Sequence, residues 1–359
     1  MRPPLLPLLL AMLVAAGAPA ATAAVTYPEV QPGATLEFPG DEGAHPAYRT
    51  EWWYVTGWLT TASGTPLGFQ VTFFRSRPSL DDRNPSAFAA HQVVIAHAAI
   101  SDPRIGRALH GERIARDAFG LASAATGKTD VRLGTWQLVA TDNAFRAVVE
   151  AEDFTLELAL GRARAALPNG RGGYSQKGPA ASSASWYYSI PGLTVTGRVA
   201  VRGRSEAVTG AAWLDHEWSS AYLDADSSGW DWVGLNLADG GSLMAFRIRD
   251  SAGATHFAGG TSRTRDGEVR VLGRDEVDFR PARLWRSPRT GIRWPVEMQV
   301  RAGALAFRLQ PLLDDQESDS RLTTGAVYWE GAVRALGAAG PVGQGYLELT
   351  GYGERLQLR

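Results

Sequence analysis

The chain has 359 residues, a formal net charge of -1 and 45% hydrophobic residues, a composition typical of soluble globular proteins without general attraction to nucleic acid. It contains no cysteine, which excludes disulfides, thiol catalysis, iron–sulfur clusters and cysteine zinc sites. The length predicts two domains. Twelve tryptophans are a marked excess, and forty glycines with twenty prolines argue against long helices.

Residues 1–24 predict a secretory signal peptide. Arg2 precedes an apolar stretch from Leu5 to Ala16, and small residues with candidate cleavage points follow. The apolar stretch is too short to span a bilayer comfortably, and a retained membrane anchor is the alternative. We expect a mature chain that begins near Val25, is secreted or periplasmic, and has no later membrane span.

Most of the remaining chain alternates apolar and polar residues with the period of two that a half-buried strand requires. The segment Phe154–Leu160 is the clearest example, and turn signals such as Asp239-Gly240-Gly241 separate the segments. Only Gly111–Ala125 has the composition for a helix of any length. The stretch 161–185 is rich in glycine and serine and predicts a long functional or mobile loop. Many short strands with regular turns indicate a sandwich or a barrel.

The chain repeats itself once. The string EWWYVTGWL at 51–59 matches GWDWVGLNL at 229–237 without gaps, so that Trp52 aligns with Trp230 and Val55 with Val233. In each copy a glycine turn then leads into an apolar strand that ends in arginine. The repeat predicts two similar all-β units in tandem, an N-terminal unit over 25–222 and a C-terminal unit over 223–359. A polar residue that occurs in just one of the two copies is not explained by the shared fold, so it is a candidate for function.

The densest cluster of ionisable residues is Asp215-His216-Glu217, which Trp218 follows, at the end of the first unit. In a strand, Asp215 and Glu217 point to one face and His216 to the other. Two carboxyls on one apolar face raise each other's pKa, which suits general acid–base catalysis. The alternative is a strand end held by salt bridges to the abundant arginines. We predict that Asp215, His216 and Glu217 are catalytic.

Asp231 interrupts an apolar strand between Trp230 and Trp232. Alternation places its side chain on the face opposite both tryptophans, where either solvent or a second site would account for it. We include Asp231 among the catalytic candidates.

A further set of polar and aromatic residues is predicted to contact a ligand. The set is Glu51, Trp53, Tyr54, His97, Tyr188 and Trp218. Glu51 is either a buried acid or the partner of Arg49, and His97, a lone histidine in an apolar run, is more typical of a core. The spacing of His45, His97 and His216 matches no local metal motif. The sequence also lacks a phosphate loop, a dinucleotide fingerprint and G-x-S-x-G, so neither a metal nor a cofactor is predicted.

Several strings, in order from about Phe38 to Tyr352, resemble the AttH-like family of predicted secreted hydrolases, which is related to carotenoid 1,2-hydratases. Among them are EWWYVTGWL, GFQVTFFR, AWLDHEWSS and GQGYLELTGY. The resemblance implies two tandem lipocalin-like (calycin-type) antiparallel β-barrels packed together. In the hydratase branch, a histidine and a tryptophan two residues later are similar to His216 and Trp218. A later aspartate is the acid in that branch, and Asp231 is its nearest match here.

The sequence therefore predicts a secreted hydrolase or hydratase that uses acid–base chemistry. Its substrate is expected to be an apolar or amphipathic molecule, similar to a lipid or isoprenoid, held inside a β-barrel. A non-catalytic carrier of a hydrophobic ligand is one alternative, and an envelope assembly factor associated with an exporter is another. No nucleic acid is expected as a partner.

Overall fold

The computed structural model describes residues 25–79, 84–86 and 88–356. Its regular structure is antiparallel β-sheet, together with two short 3-10 turns at Gly40–Glu42 and Arg274–Glu276. The predicted signal peptide at 1–24 lies outside the described residues. Within the described ranges, no helix has the length and apolar character needed to cross a membrane.

The first sheet has thirteen strands. They are β1 (Thr50–Thr61), β2 (Pro66–Ser76), β3 (Val93–Asp102), β4 (Arg107–Arg116), β5 (Ala122–Ala124), β6 (Asp130–Leu133), β7 (Trp136–Ala140), β8 (Ala144–Glu150), β9 (Phe154–Gly161), β10 (Leu167–Pro168), β11 (Tyr174–Gln176), β12 (Ala184–Val201) and β13 (Arg204–Ala221). Their order is β4-β3-β2-β1-β13-β12-β9-β8-β7-β6-β5, and β10 and β11 both pair with β12. Because β5 and β6 lie against β3 and β4, the sheet curls into a nearly closed barrel.

The second sheet has ten strands. They are β14 (Ser227–Leu237), β15 (Ser242–Asp250), β16 (Thr255–Arg263), β17 (Val269–Leu272), β18 (Val277–Arg286), β19 (Arg293–Ala302), β20 (Leu305–Pro311), β21 (Glu317–Ser320), β22 (Ala326–Gly337) and β23 (Gly340–Leu349). Their order is β17-β16-β15-β14-β23-β22-β20-β19-β18, with β21 paired to β22. The last strand in this order, β18, lies against β15 and β16.

The strand orders of the two sheets correspond around the first and last strands of each unit, which confirms the predicted all-β fold of two tandem lipocalin-like barrels. In each sheet the first strand of the unit pairs with the second and with the last, so β1 lies between β2 and β13, and β14 between β15 and β23. The register agrees as well, because Tyr54 lies opposite Asp215 and Trp232 lies opposite Glu348. The predicted junction between residues 222 and 223 falls in the segment that joins β13 to β14.

The segment Gly111–Ala125, the one stretch whose sequence could have held a helix, contains none. This segment contains the end of β4, where Gly111 pairs with Ala98, then a turn and the short strand β5. In the turn, Phe119 and Gly120 have φ values of 56° and 70°, a left-handed conformation that a right-handed helix does not contain. The predicted loop at 161–185 contains the short strands β10 and β11, which pair with β12.

Three buried apolar clusters hold the molecule together. One fills the first barrel and includes Trp53 and Trp136, and another fills the second barrel and includes Trp294 and Trp329. The third lies between the sheets. Strands β1, β13 and β14 therefore have two buried faces, one turned into a barrel and the other turned toward the opposite sheet. Polar side chains on either face of these strands are costly unless they are paired.

Candidate functional site

A cavity of about 990 Å³ lies between the two sheets. Strands β1, β2, β3, β12 and β13 of the first sheet line one side, and β14, β15, β22 and β23 of the second sheet line the other. The exposed residues Arg321 and Glu354 contribute to its rim. The sequence predicted a ligand inside a barrel, whereas this cavity lies outside the first barrel, whose interior holds packed aromatic side chains. Its volume suits a small-molecule ligand.

Asp215 lines the cavity from β13 and accepts three hydrogen bonds. Ser189 Oγ and Trp213 Nε1 donate to its Oδ1 at 2.5 and 2.7 Å, and Tyr187 Oη donates to its Oδ2 at 2.8 Å. Trp232 Nε1 of the second sheet donates in turn to Tyr187 Oη at 3.0 Å. Burial raises the pKa of Asp215 to about 7, although these hydrogen bonds act to lower it. This carboxyl therefore exchanges a proton near neutral pH.

Glu217, two residues further along β13, faces the same cavity and forms an ion pair. Lys177 Nζ lies 3.0 Å from Glu217 Oε1, and Ser185 Oγ donates a hydrogen bond to the same oxygen. The ammonium group also lies over the rings of Tyr187 and Phe246, at 4.7 and 4.3 Å from their centroids. The two carboxyls on this face thus have different partners, since neutral donors surround Asp215 and a cation holds Glu217.

Two more carboxyls enter the cavity from the second sheet. Glu330 on β22 lies directly opposite Glu348 on β23, and both line the cavity. Burial raises the pKa of Glu348 to about 8, helped by the negative charges of Asp215 and Glu217. Burial and the charge of Glu348 raise the pKa of Glu330 well above its usual value. The cavity therefore has acidic groups on both of its sides.

Three buried polar atoms of cavity-lining residues have no hydrogen-bond partner within the part of the chain that the structure describes. They are Tyr54 Oη, Tyr222 Oη and Glu330 Oε1. Buried polar groups in folded proteins are normally satisfied, and an exception needs a functional or structural reason. A ligand with polar groups would supply the missing partners.

His216 points the other way, into the first barrel, as strand alternation requires. Its Nε2 lies 2.9 Å from Glu51 Oε1, and its Nδ1 lies 3.1 Å from Tyr188 Oη. Arg75 Nε donates to Glu51 Oε2 at 2.7 Å, and His45 Nδ1 lies 2.8 Å from Glu51 Oε1. Burial alone would raise the pKa of Glu51, but the two imidazoles and Arg75 hold it below its usual value.

Among the described residues, the cluster of His45, Glu51 and His216 has the arrangement closest to a set of metal ligands. The ligand atoms of His45, Glu51 and His216 lie within 4.8 Å of one another. From the sequence, His97 was considered together with His45 and His216, but His97 lies outside this cluster. The third ligand group here is the carboxyl of Glu51. Each of the three ligand groups is already hydrogen bonded inside the cluster, and Arg75 adds a positive charge. We therefore describe the cluster as a buried polar network.

Aromatic rings enclose this network. The ring of Trp218 stacks on that of His45 with centroids 3.7 Å apart, and the ring of Trp53 stacks on that of His216 at 4.6 Å. The predicted catalytic residue His216 and four predicted ligand contacts therefore lie on the barrel side of the sheet, away from the cavity. The four contacts are Glu51, Trp53, Tyr188 and Trp218.

His97 and Tyr54 both line the cavity. His97 Nδ1 lies 2.6 Å from Tyr328 Oη and its Nε2 lies 2.8 Å from Thr323 Oγ1, so the imidazole links β3 to the second unit. Burial lowers the pKa of His97 to about 3, which keeps the ring neutral at ordinary pH. Tyr54 contacts the ring of Trp232 edge-on, with centroids 5.5 Å apart.

Asp231 lies on the barrel side of β14, where it is fully paired. Arg247 Nε donates to its Oδ2 at 2.8 Å, Arg249 Nε donates to its Oδ1 at 3.2 Å, and Tyr352 Oη donates to Oδ1 at 2.8 Å. Alternation correctly placed Asp231 opposite Trp230 and Trp232, which face the cavity. A carboxylate held by two guanidinium groups on the far side of the sheet is a structural anchor, and we do not retain Asp231 as a catalytic candidate.

Sequence reasoning missed several cavity residues. Glu330, in YWEGAV, and Glu348, in YLELT, are acidic residues within apolar strands. The same pattern had identified Asp215 as a candidate. Lys177 is one of only two lysines in the chain. Tyr187 and Ser189 hold Asp215 from the neighbouring strand, a contact that only the strand pairing reveals.

Comparisons with known proteins agree with this architecture. The AttH-like family model matches residues 29–352. An AttH protein of Nitrosomonas europaea has a crystal structure that is 49% identical, with a TM-score of 0.85, over 90% of this chain and 99% of that one. No curated protein matches the sequence.

Two more distant structures share the fold. Kievitone hydratase of Nectria haematococca is 16% identical, with a TM-score of 0.69, over 92% of this chain and 96% of that one. CghA with Sch210972 is 13% identical, with a TM-score of 0.50, over 85% and 89% of the two chains. The family model covers nearly all of the described chain, and this protein belongs to the AttH-like family.

Proposed function

We propose that this protein adds water to, or removes water from, an apolar or amphipathic small molecule bound in the cavity between its sheets. The observation that carries the proposal is the hydrogen bonding of Asp215. Its Oδ1 accepts two hydrogen bonds and its Oδ2 only one, which leaves one lone-pair position free on Oδ2. That position suits a proton that is passed to a bound substrate. The fold shared with kievitone hydratase supports the same class of reaction.

The reaction needs only groups already in the cavity. In the hydration direction, the carboxyl of Asp215 gives its proton to one carbon of an alkene, and the neighbouring carbon becomes positively charged. A water molecule bonds to that carbon and loses a proton to the carboxylate of Glu217, which can return a proton to Asp215 through water. The alkene and water are consumed and an alcohol is formed, with no net change in protons.

The walls of the cavity favour a positively charged intermediate. Trp52 and Trp230, whose ring centroids are 6.4 Å apart, both line the cavity, as does Tyr222. The faces of aromatic rings attract cations. A cavity enclosed by two sheets also limits bulk water, which strengthens these interactions.

The test uses the chain from Val25 onward with kievitone and lycopene as probes, in water labelled with heavy oxygen. We expect mass spectrometry to show a product that has gained one labelled water. Asp215→Asn should abolish this gain, whereas Asp278→Asn, the same change on the surface of the second barrel, should not. Product formation that persists in Asp215→Asn at the wild-type rate would contradict the proposal.

Storage or transport of a hydrophobic ligand is the second candidate, because the cavity and its apolar wall suit a carrier equally well. Native mass spectrometry of protein purified from its own host separates the two functions. A hydrophobic molecule recovered unchanged after incubation favours a carrier, and conversion of the bound molecule favours an enzyme.

Secretion is part of the proposal and has its own test. We expect the intact mass of the protein from the periplasm or the medium to match a chain that begins near Val25. A protein recovered in the cytoplasm with Met1 still present would contradict secretion.

A further inference from the structure

Glu330 and Glu348 form an acidic pair at the side of the cavity that belongs to the second sheet. They occupy directly opposite positions on β22 and β23, where side chains are neighbours on one face of the sheet. Two like charges in this arrangement repel each other, and burial adds to the cost. Such a pair is stable only when it carries a proton or faces a cation.

Several other charged residues of the cavity already have partners, and Arg355 at the rim donates to the backbone oxygen of Asp224. Lys177 pairs with Glu217, and Arg75 pairs with Glu51 inside the first barrel. At the rim, the guanidinium groups of Arg289 and Arg321 pair with nearby aspartates. Among the residues that the structure describes, no ion pair reaches Glu330 or Glu348.

The pair also has unsatisfied hydrogen-bonding capacity. Glu330 Oε1 and Tyr54 Oη have no hydrogen-bond partner within the described chain, and their residues are only 4% and 6% exposed. An unpartnered carboxylate oxygen in such a place needs a hydrogen-bond donor. Tyr54 is the neighbouring side chain whose hydroxyl acts on the ionisation of Glu330, and it offers a single proton. A bound molecule with several donors would satisfy both the carboxyl and the hydroxyl.

Aromatic rings complete the surroundings. Trp232 on β14 lies directly opposite Glu348 and contacts the ring of Tyr54, and Trp230 lies two residues away on the same face. Tryptophan and tyrosine rings next to carboxylates are the usual environment for an organic cation. The cavity therefore combines negative charge, unsatisfied acceptors and aromatic faces at one end.

We propose that Glu330 and Glu348 form a subsite for an ammonium group of the ligand, with the apolar part of that ligand lying along the aromatic wall. The subsite rests on the proposed function only in that both use this cavity for the ligand. An alcohol donates a single hydrogen bond and leaves the negative charge uncompensated. A primary ammonium group donates three hydrogen bonds and neutralises that charge. The same negative potential favours the positive charge that develops during hydration.

Three probes with the same alkyl chain test the subsite: decylamine, decanol and decanoate. Their binding to the chain from Val25 onward is measured at pH 9, above the pKa of about 8 of Glu348, by calorimetry and by quenching of tryptophan fluorescence. We expect decylamine to bind at least about tenfold more tightly than decanol, as one charge-assisted hydrogen bond suggests, and decanoate to bind most weakly. Equal affinities for decylamine and decanol would overturn the proposal.

Isosteric variants show which residues produce the preference for decylamine over decanol. Glu330→Gln and Glu348→Gln should each remove most of the preference for decylamine and leave decanol binding unchanged, which also shows that the cavity is intact. Glu157→Gln, the same change at an exposed position of β9, should keep the preference. A preference for the amine that survives the double variant would place the cation elsewhere and overturn the proposal.

These measurements involve no turnover, so their outcome is independent of the hydration assay. A protein that hydrates its probes without preferring decylamine contradicts the subsite alone. A protein that prefers decylamine, but whose turnover of kievitone or lycopene is the same in Asp215→Asn, contradicts the acid chemistry alone.

Discussion

Asp215 and Glu348 occupy equivalent positions in the two sheets, and both line the cavity between them. Asp215 lies opposite Tyr54 on the first strand of the first unit, and Glu348 lies opposite Trp232 on the first strand of the second. Tyr54 and Trp232 are themselves aligned by the sequence repeat, and their rings contact each other. An acidic group at this position is therefore common to both units, although the two groups have different partners.

Replacing Asp215 by asparagine tests the proton transfer. We expect kcat to fall by about 100-fold or more, because general acid catalysis typically contributes at least that much. KM should change little, since the apolar wall that binds the substrate is untouched. Steady-state kinetics with whichever probe the wild type converts measures both constants, and a thermal melt confirms folding. A rise in KM at unchanged kcat would instead identify Asp215 as a binding residue.

Glu348→Gln tests the unusual ionisation of the acidic pair. The pKa of Glu348 is about 8 in the folded protein, against 4.5 in its ordinary environment, so the folded state retains the proton at higher pH. Stability from this group is complete below about pH 4.5 and is lost as the pH rises toward 8. We expect Glu348→Gln to raise the urea midpoint relative to wild type at pH 8 and to change it little at pH 4.

Glu330→Gln should shift the midpoint in the same direction, because burial and the charge of Glu348 also raise the pKa of Glu330. Glu157→Gln, at an exposed position, should have no such pH-dependent effect. A Glu348 variant that is less stable than the wild type at pH 8 would contradict the inferred protonation.

Lys177→Met tests the ion pair with Glu217. The change leaves a carboxylate without its cation in a nearly buried position, and we expect a loss of about 3 kcal/mol in the free energy of unfolding. The double variant Lys177→Met with Glu217→Gln should recover most of that loss, since it removes the stranded charge as well. Lys128→Met, at an exposed position, is the control. Equal losses in the single and double variants would show that the two residues act independently.

Asp231→Asn separates structural from catalytic acids. Arg247 and Arg249 lose their shared carboxylate, and we expect the free energy of unfolding to fall by about 3 kcal/mol or more. Below the melting temperature of the variant, decanol binding and turnover should match the wild type, because the side chain faces away from the cavity. A large fall in kcat at wild-type stability would return Asp231 to the catalytic candidates.

The sequence by itself determined the architecture, and it determined which neighbouring side chains lie on the same face of a strand. Period-two alternation in strands and the repeat of EWWYVTGWL in GWDWVGLNL are local patterns, so they specified the all-β fold, the tandem units and the separation of His216 from Asp215 and Glu217. The same alternation placed Asp231 opposite its two tryptophans. The segment Gly111–Ala125 could have held a helix on its sequence, but its pattern is weak, and the pairing of its first residues with β3 outweighs that pattern.

Only the tertiary structure decided which face of each strand borders the cavity. Strands such as β13 and β14 are buried on both sides, and alternation cannot distinguish a barrel interior from the space between two barrels. The packing of the sheets placed Asp215 and Glu217 in that space and left His216 and Asp231 inside barrels. It also brought Glu330 and Glu348 to the same cavity from more than a hundred residues away, because long-range strand pairing depends on the closure of the whole sheet rather than on nearby sequence.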